Sequence, residues 1–92
     1  MVYVNVLDSE HCNREIKEII NAIKRSVEYR GERISPQNRG LIIGSISEIL
    51  ERKYNVIYVA IFTEDSSLNI VSSQGGNIST FQIDNYEIWI CM

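Results

Sequence analysis

Proline, histidine and tryptophan occur once each in this chain, and cysteine only twice. Two cysteines, Cys12 and Cys91, are too few for the disulfide framework of a small secreted domain. They read as free thiols of a reducing compartment. His11 and those two distant thiols fall short of the three or four ligands a metal site needs, so no cofactor is expected. No basic cluster exceeds the pairs Lys24-Arg25 and Arg52-Lys53, and nine Lys+Arg against twelve Asp+Glu leave a formal net charge of −3. The electrostatic footprint of a nucleic-acid binder is therefore missing. The longest unbroken apolar run, residues 56–62, is far shorter than a bilayer span. No basic segment precedes an apolar stretch as in a signal peptide. These absences lead us to expect a soluble intracellular domain with neither nucleic acid nor membrane as partner.

What is present is apolar material spread along the whole length. The chain has 92 residues, 45% of them hydrophobic, and sixteen are isoleucine. That length makes one domain, and that hydrophobicity excludes disorder. The pattern opens with an alternating β-branched segment, Val2-Tyr3-Val4-Asn5-Val6-Leu7, followed by Asp8 or Ser9 as a helix N-cap. Cys12, Ile16, Ile19, Ile20, Ile23 and Val27 then recur at helical spacing, with Gly31 available for a left-handed cap. Ser35-Pro36 opens a second helix, cap hydroxyl followed by proline. Its stripe is Leu41, Ile42, Ile46, Ile49 and Leu50, and it closes at Glu51-Arg52-Lys53-Tyr54. Gly40 and Gly44, four apart, read as the mark of a close approach by another element.

After Asn55 the period changes from 3.6 to 2. Strands are expected over residues 56–62, 68–72, 78–83 and 86–91, the last two joined as a tight hairpin through Asp84-Asn85. The fold class is α+β: two helices packed on an antiparallel sheet of about five strands. A sheet covered on one side should alternate apolar and polar residues. Residues 56–62 do not: Ile57, Val59 and Ile61 point one way, Val56, Tyr58, Ala60 and Phe62 the other. The last strand repeats this, with Trp89 and Cys91 opposite Tyr86, Ile88 and Ile90. Two helices cover one face, so the second face is expected to need a partner, most simply another copy.

Element order and register together resemble the eight-kilodalton dynein light chains. Ile42, Ile46 and Leu50 lie on that family's second-helix core positions, and Glu51-Arg52-Lys53-Tyr54-Asn55 is similar to the signature closing its second helix. Tyr58 stands where the family carries tryptophan. Ile70, Val71, Ser72 and Ser73 can be laid on its groove strand, and Phe81, Ile83, Ile88 and Ile90 on its final hairpin. Ser73 or Ser72 replaces the family's interface histidine, and Gly40 replaces a ligand-contacting lysine. The resemblance implies a homodimer with one strand exchanged between subunits, its interface at Tyr58, Phe62, Ile70, Ser73 and Trp89. It implies a peptide groove in which an extended segment pairs with Leu68, Asn69, Ile70, Val71, Ser72 and Ser73. Gln37, Asn38 and Arg39 at the second-helix start would offer donors to the ligand. Partners would be linear segments such as those of dynein intermediate chain, and the setting a cytoplasmic, cytoskeleton-associated motor or scaffold.

Enzymatic readings find little footing, and no catalytic residue is expected. His11 and Cys12 are neighbours on a helix and point about 100° apart, so they do not converge as a catalytic pair. Glu64-Asp65 and Asp84-Glu87 lie at turns, where Asp stabilises the bend. Gln74-Gly75-Gly76-Asn77 lacks the lysine and following helix of a phosphate loop. A competing expectation is a monomeric interaction protein, of immunity or inhibitor type, that binds one globular partner.

Overall fold

The computed structural model describes residues 2–9, 14–63 and 78–92. Among these the chain forms β1 (Asn5–Asp8), α1 (Ile16–Tyr29), α2 (Arg39–Glu51), β2 (Tyr58–Thr63), β3 (Ile78–Ile83) and β4 (Tyr86–Cys91). The four described strands make one antiparallel sheet in the order β1-β3-β4-β2. The α+β class expected from the sequence is thus observed. The strand expected over residues 68–72, one of the five of that reading, lies outside the described residues.

The helices follow their apolar spacing. Ile19, Ala22, Ile23, Ser26 and Val27 are buried on α1, and Ile42, Ile46 and Leu50 on α2. Helix α1 ends as the glycine predicts. Gly31 has φ +100°, its N–H donates to the Glu28 carbonyl (3.3 Å), and the Glu32 N–H donates to the Val27 carbonyl (3.0 Å). This is a Schellman closure, which satisfies carbonyls the last turn would otherwise leave bare. The start of α1 departs from expectation. Asp8 is not an N-cap but the last residue of β1, paired with Thr80, and regular helix begins at Ile16. The ladder shifts register between Val6 and Asp8. Consequently Val2 and Val4 are buried while Val6 and Leu7 face solvent, which breaks the expected one-sided alternation of Val2, Val4 and Val6.

Between the helices, Ser35 and Asn38 bond reciprocally. The Ser35 N–H donates to Asn38 Oδ1 (2.8 Å), and the Asn38 N–H donates to Ser35 Oγ (3.3 Å). Asn here fills the role that Glu or Gln takes in a capping box. Ser35 is therefore the cap, as its place before Pro36 suggests, although regular helix is assigned only from Arg39.

The core lies between the helices and one sheet face. Phe81, Ile83, Tyr86, Ile88, Ile90 and Ile61 meet Ile19, Ile23, Val27, Ile42, Ile46 and Leu50. Each such side chain contributes about 1.5–3 kcal/mol on burial. The β3–β4 turn is Asp84-Asn85, with Ile83 opposite Tyr86 and Asp84 at φ +53°. Aspartate is among the few side-chain-bearing residues that accept that conformation.

Two expectations need correction. Gly40 and Gly44 receive no neighbour: a Cβ at either would find nothing within 4 Å. Leu41, placed in the buried stripe by its spacing, is 53% exposed. The outer side of α2 simply faces water, and the small residues there answer to no internal packing.

Candidate functional site

The second sheet face has two zones. From the register, Tyr58, Ala60 and Phe62 of β2 share it with Glu87, Trp89 and Cys91 of β4 and with Ile78, Thr80 and Gln82 of β3. The apolar zone lies at the β2 side. The polar zone lies toward β1, where Gln82 meets Asn5 and Thr80 meets Asp8. In the apolar zone the rings of Phe62 and Trp89 meet edge to face, centroids 5.2 Å apart at 63°.

Phe62 (3% exposed) and Trp89 (8%) are buried within the single chain, as is Cys91. The expectation that this face requires a second copy for cover therefore does not hold for Phe62 and Trp89. Tyr58 is half-buried. Two polar atoms of this zone, Tyr58 Oη and Trp89 Nε1, are buried with no hydrogen-bond partner among the described residues. An indole N–H can only donate, so it lacks an acceptor here. Burial raises the Tyr58 hydroxyl above its ordinary pKa, with a further push from Cys91, and burial alone raises the Cys91 thiol. Both stay neutral at physiological pH.

The apolar zone borders the edge of the sheet. β2 pairs with β4 in unbroken register from Tyr58–Cys91 to Thr63–Tyr86, and no other described strand lies beyond it. The Ile57 N–H extends that ladder by donating to the Cys91 carbonyl (2.8 Å). The opposite edge, β1, is only four residues long and bulged between Val6 and Asp8. Short bulged edges resist a further strand, and long regular ones accept it.

The expected site residues divide between elements. Tyr58, Phe62 and Trp89, expected at a dimer interface, share the apolar zone of one chain, while Leu68, Asn69, Ile70, Val71, Ser72 and Ser73 lie outside the described residues. Gln37, Asn38 and Arg39 stand at the start of α2, with Gln37 exposed. The Asn38 amide is already engaged. Besides its bonds to Ser35, Nδ2 donates to the carbonyls of Arg33 (2.7 Å) and Arg30 (3.3 Å). Its side chain is a clamp on the α1–α2 loop. The serine-to-asparagine spacing of three was the readable signal.

The segment after α2 also has an internal role. Lys53 Nζ lies 2.8 Å from Glu18 Oε1 and 5.9 Å from the Tyr54 ring centroid. Glu18 sits below the usual carboxylate range, chiefly through the Lys53 hydrogen bond and then through one from Tyr54. The Lys-Tyr pair thus ties the α1 start to the α2 end, without reference to any ligand.

Among the described residues no group of three His, Cys, Asp or Glu could hold a metal, and no helix is long and apolar enough to cross a membrane. The chain matches no family model, no curated protein and no solved structure.

Proposed function

We propose that this chain is a non-catalytic adaptor similar to the eight-kilodalton dynein light chains, which captures extended peptide segments by strand addition and works as a homodimer. The observation that carries the reading is the edge of β2 on which no other described strand pairs, six residues in regular register at the apolar end of the sheet. An incoming strand gains main-chain hydrogen bonds along such an edge, and alternate side chains reach the adjoining face. In a dimer, two equivalent edges would hold two ligand strands in register, and the second engagement would gain from effective concentration. The setting that fits is a cytoplasmic motor or scaffold assembly, with dynein intermediate chain as one candidate partner.

One observation favours the monomeric interaction protein instead: Phe62 and Trp89 are already buried in one chain. Light scattering after size exclusion separates the two readings, with twice the chain mass at micromolar concentration expected for the adaptor. Hydrogen exchange of the β2 amides, with and without peptides containing Thr-Gln-Thr-like segments, then tests strand addition. Protection of β2 is expected. A single-chain mass removes the dimer, and unchanged β2 exchange across the peptides removes strand addition.

A further inference from the structure

On the side of the molecule away from the Trp89 face, α1 and α2 enclose an open groove of about 640 Å³. Its floor lies where the helices cross closely, the Ser26 hydroxyl donating to Ser45 Oγ at 2.9 Å. The α2 wall is kept low by Gly40 and Gly44, whose missing side chains would meet only open space. These two positions are one turn apart, leaving a notch about 6 Å long. Leu41 (53% exposed) and Tyr29 (81%) stand beside it. The charges lining the groove are Arg25, Arg30 and Arg52 against Glu48 alone, on a chain whose formal net charge is −3.

We infer that this groove docks an acidic amphipathic helix of a partner protein. Lining residues recur at one-turn spacing along α2, from Gly40 through Gly44 and Glu48 to Arg52. That stretch extends about 18 Å along the axis. A helix presents anchors at the same spacing, and small residues in the wall let its backbone come close. Leu41 and Tyr29 supply apolar contact. Arg52 is held by Glu48 at 3.6 Å, which leaves Arg25 and Arg30, the latter over the Tyr29 ring at 5.2 Å, to take carboxylates on the flanks of the incoming helix. A second copy fits worse, because a two-fold axis would set the same arginines against one another.

Titration of the isotopically labelled protein tests this by amide chemical shifts. The probe is an acidic amphipathic peptide of about four turns, with Ala and Leu on one face and Glu on its flanks. Its control is the same peptide with Lys for every Glu. The acidic peptide is expected to shift the Gly40, Leu41 and Gly44 amides, with β2 unmoved. Affinity should fall by roughly tenfold or more in Gly44→Leu, and again in the triple variant Arg25→Gln, Arg30→Gln, Arg52→Gln. A Cβ at Gly44 meets nothing within 4 Å, and the melting curve of Gly44→Leu reports whether it folds; the arginine variant is independent of that position. No shift at millimolar peptide overturns the inference, as does equal binding of the Lys control. Concentration-dependent shifts at Gly40 and Gly44 without peptide also overturn it, because they assign the groove to a second copy.

Discussion

Replacing Gly44 by alanine should stabilise this protein, and the same replacement at Gly31 should destabilise it. Gly44 lies in the α2 interior, exposed, with nothing within 4 Å of an added Cβ. Alanine therefore meets no clash and recovers helix propensity of about 1 kcal/mol. Gly40 stands next to the assigned helix start, so its gain is smaller, about 0.5 kcal/mol. For a domain of this length, 1 kcal/mol moves the melting temperature by about 4–8 °C. The double variant should then melt about 6–12 °C higher, with its urea midpoint raised by about 0.5–1.5 M. Gly31 also has open space around it, but its φ of +100° is where side-chain-bearing residues are strained. Gly31→Ala should lower stability by about 1 kcal/mol, because backbone strain and not crowding decides the sign. Calorimetry and urea denaturation of the four variants at equal concentration read all of this. An unchanged or lower melting temperature for Gly44→Ala, with helicity intact, would refute the reasoning and mean that something packs on α2 in solution.

Asn38→Ala should cost about 1–2 kcal/mol by urea denaturation, since it removes one acceptor and two donors from the α1–α2 loop; a loss under a few tenths would show the clamp to be idle. Trp89→Phe should change stability by less than about 1 kcal/mol, because it deletes an N–H that has no partner among the described residues, whereas Trp89→Ala should cost about 3–5 kcal/mol. A large cost for the phenylalanine variant would mean the indole is paired. The Glu18 carboxyl should titrate below the ordinary range by NMR, and Lys53→Met should return it toward that range. Because its folded pKa is depressed, the pair's small contribution is present above the unfolded pKa and fades as pH falls through the folded one. Cys91 should resist thiol reagents in the native protein, being buried with a raised pKa, and react once urea unfolds it.

Periodicity made most of the architecture legible. Ile19, Ile23 and Val27, then Ile42, Ile46 and Leu50, fall on the buried sides of α1 and α2 as their spacing predicts. The β3–β4 hairpin turns at Asp84-Asn85 where local chemistry places it. Periodicity reports which residues leave water, not what covers them, so it could not foresee that Phe62 and Trp89 bury within one chain. Glycine is ambiguous for a related reason. Gly40 and Gly44 lack a Cβ equally well beneath a packed neighbour or beside an empty groove, and only the fold distinguishes these. Leu41 follows the helical stripe yet faces out, since its neighbour Ile42 already fills the core. Of the expected site, the aromatic cluster was readable from unbroken alternation. The spacing of Ser35 and Asn38 signals their reciprocal bonds, whereas the Asn38 bonds to the Arg30 and Arg33 carbonyls depend on the loop's path and leave no such mark.

Asn5 lies beside Gln82 in the finished sheet, so nearly the whole chain separates these neighbours. During synthesis at about 5–20 residues per second, β1 waits unpaired for roughly 4–15 s before β3 exists. Closing so long a loop is slow, which ranks β1 among the last elements to dock. The nascent chain is then exposed at an oily, β-prone segment while α1 and α2 are already able to associate. Val2 and Val4, shielded only at the end, are the residues a chaperone should grasp first.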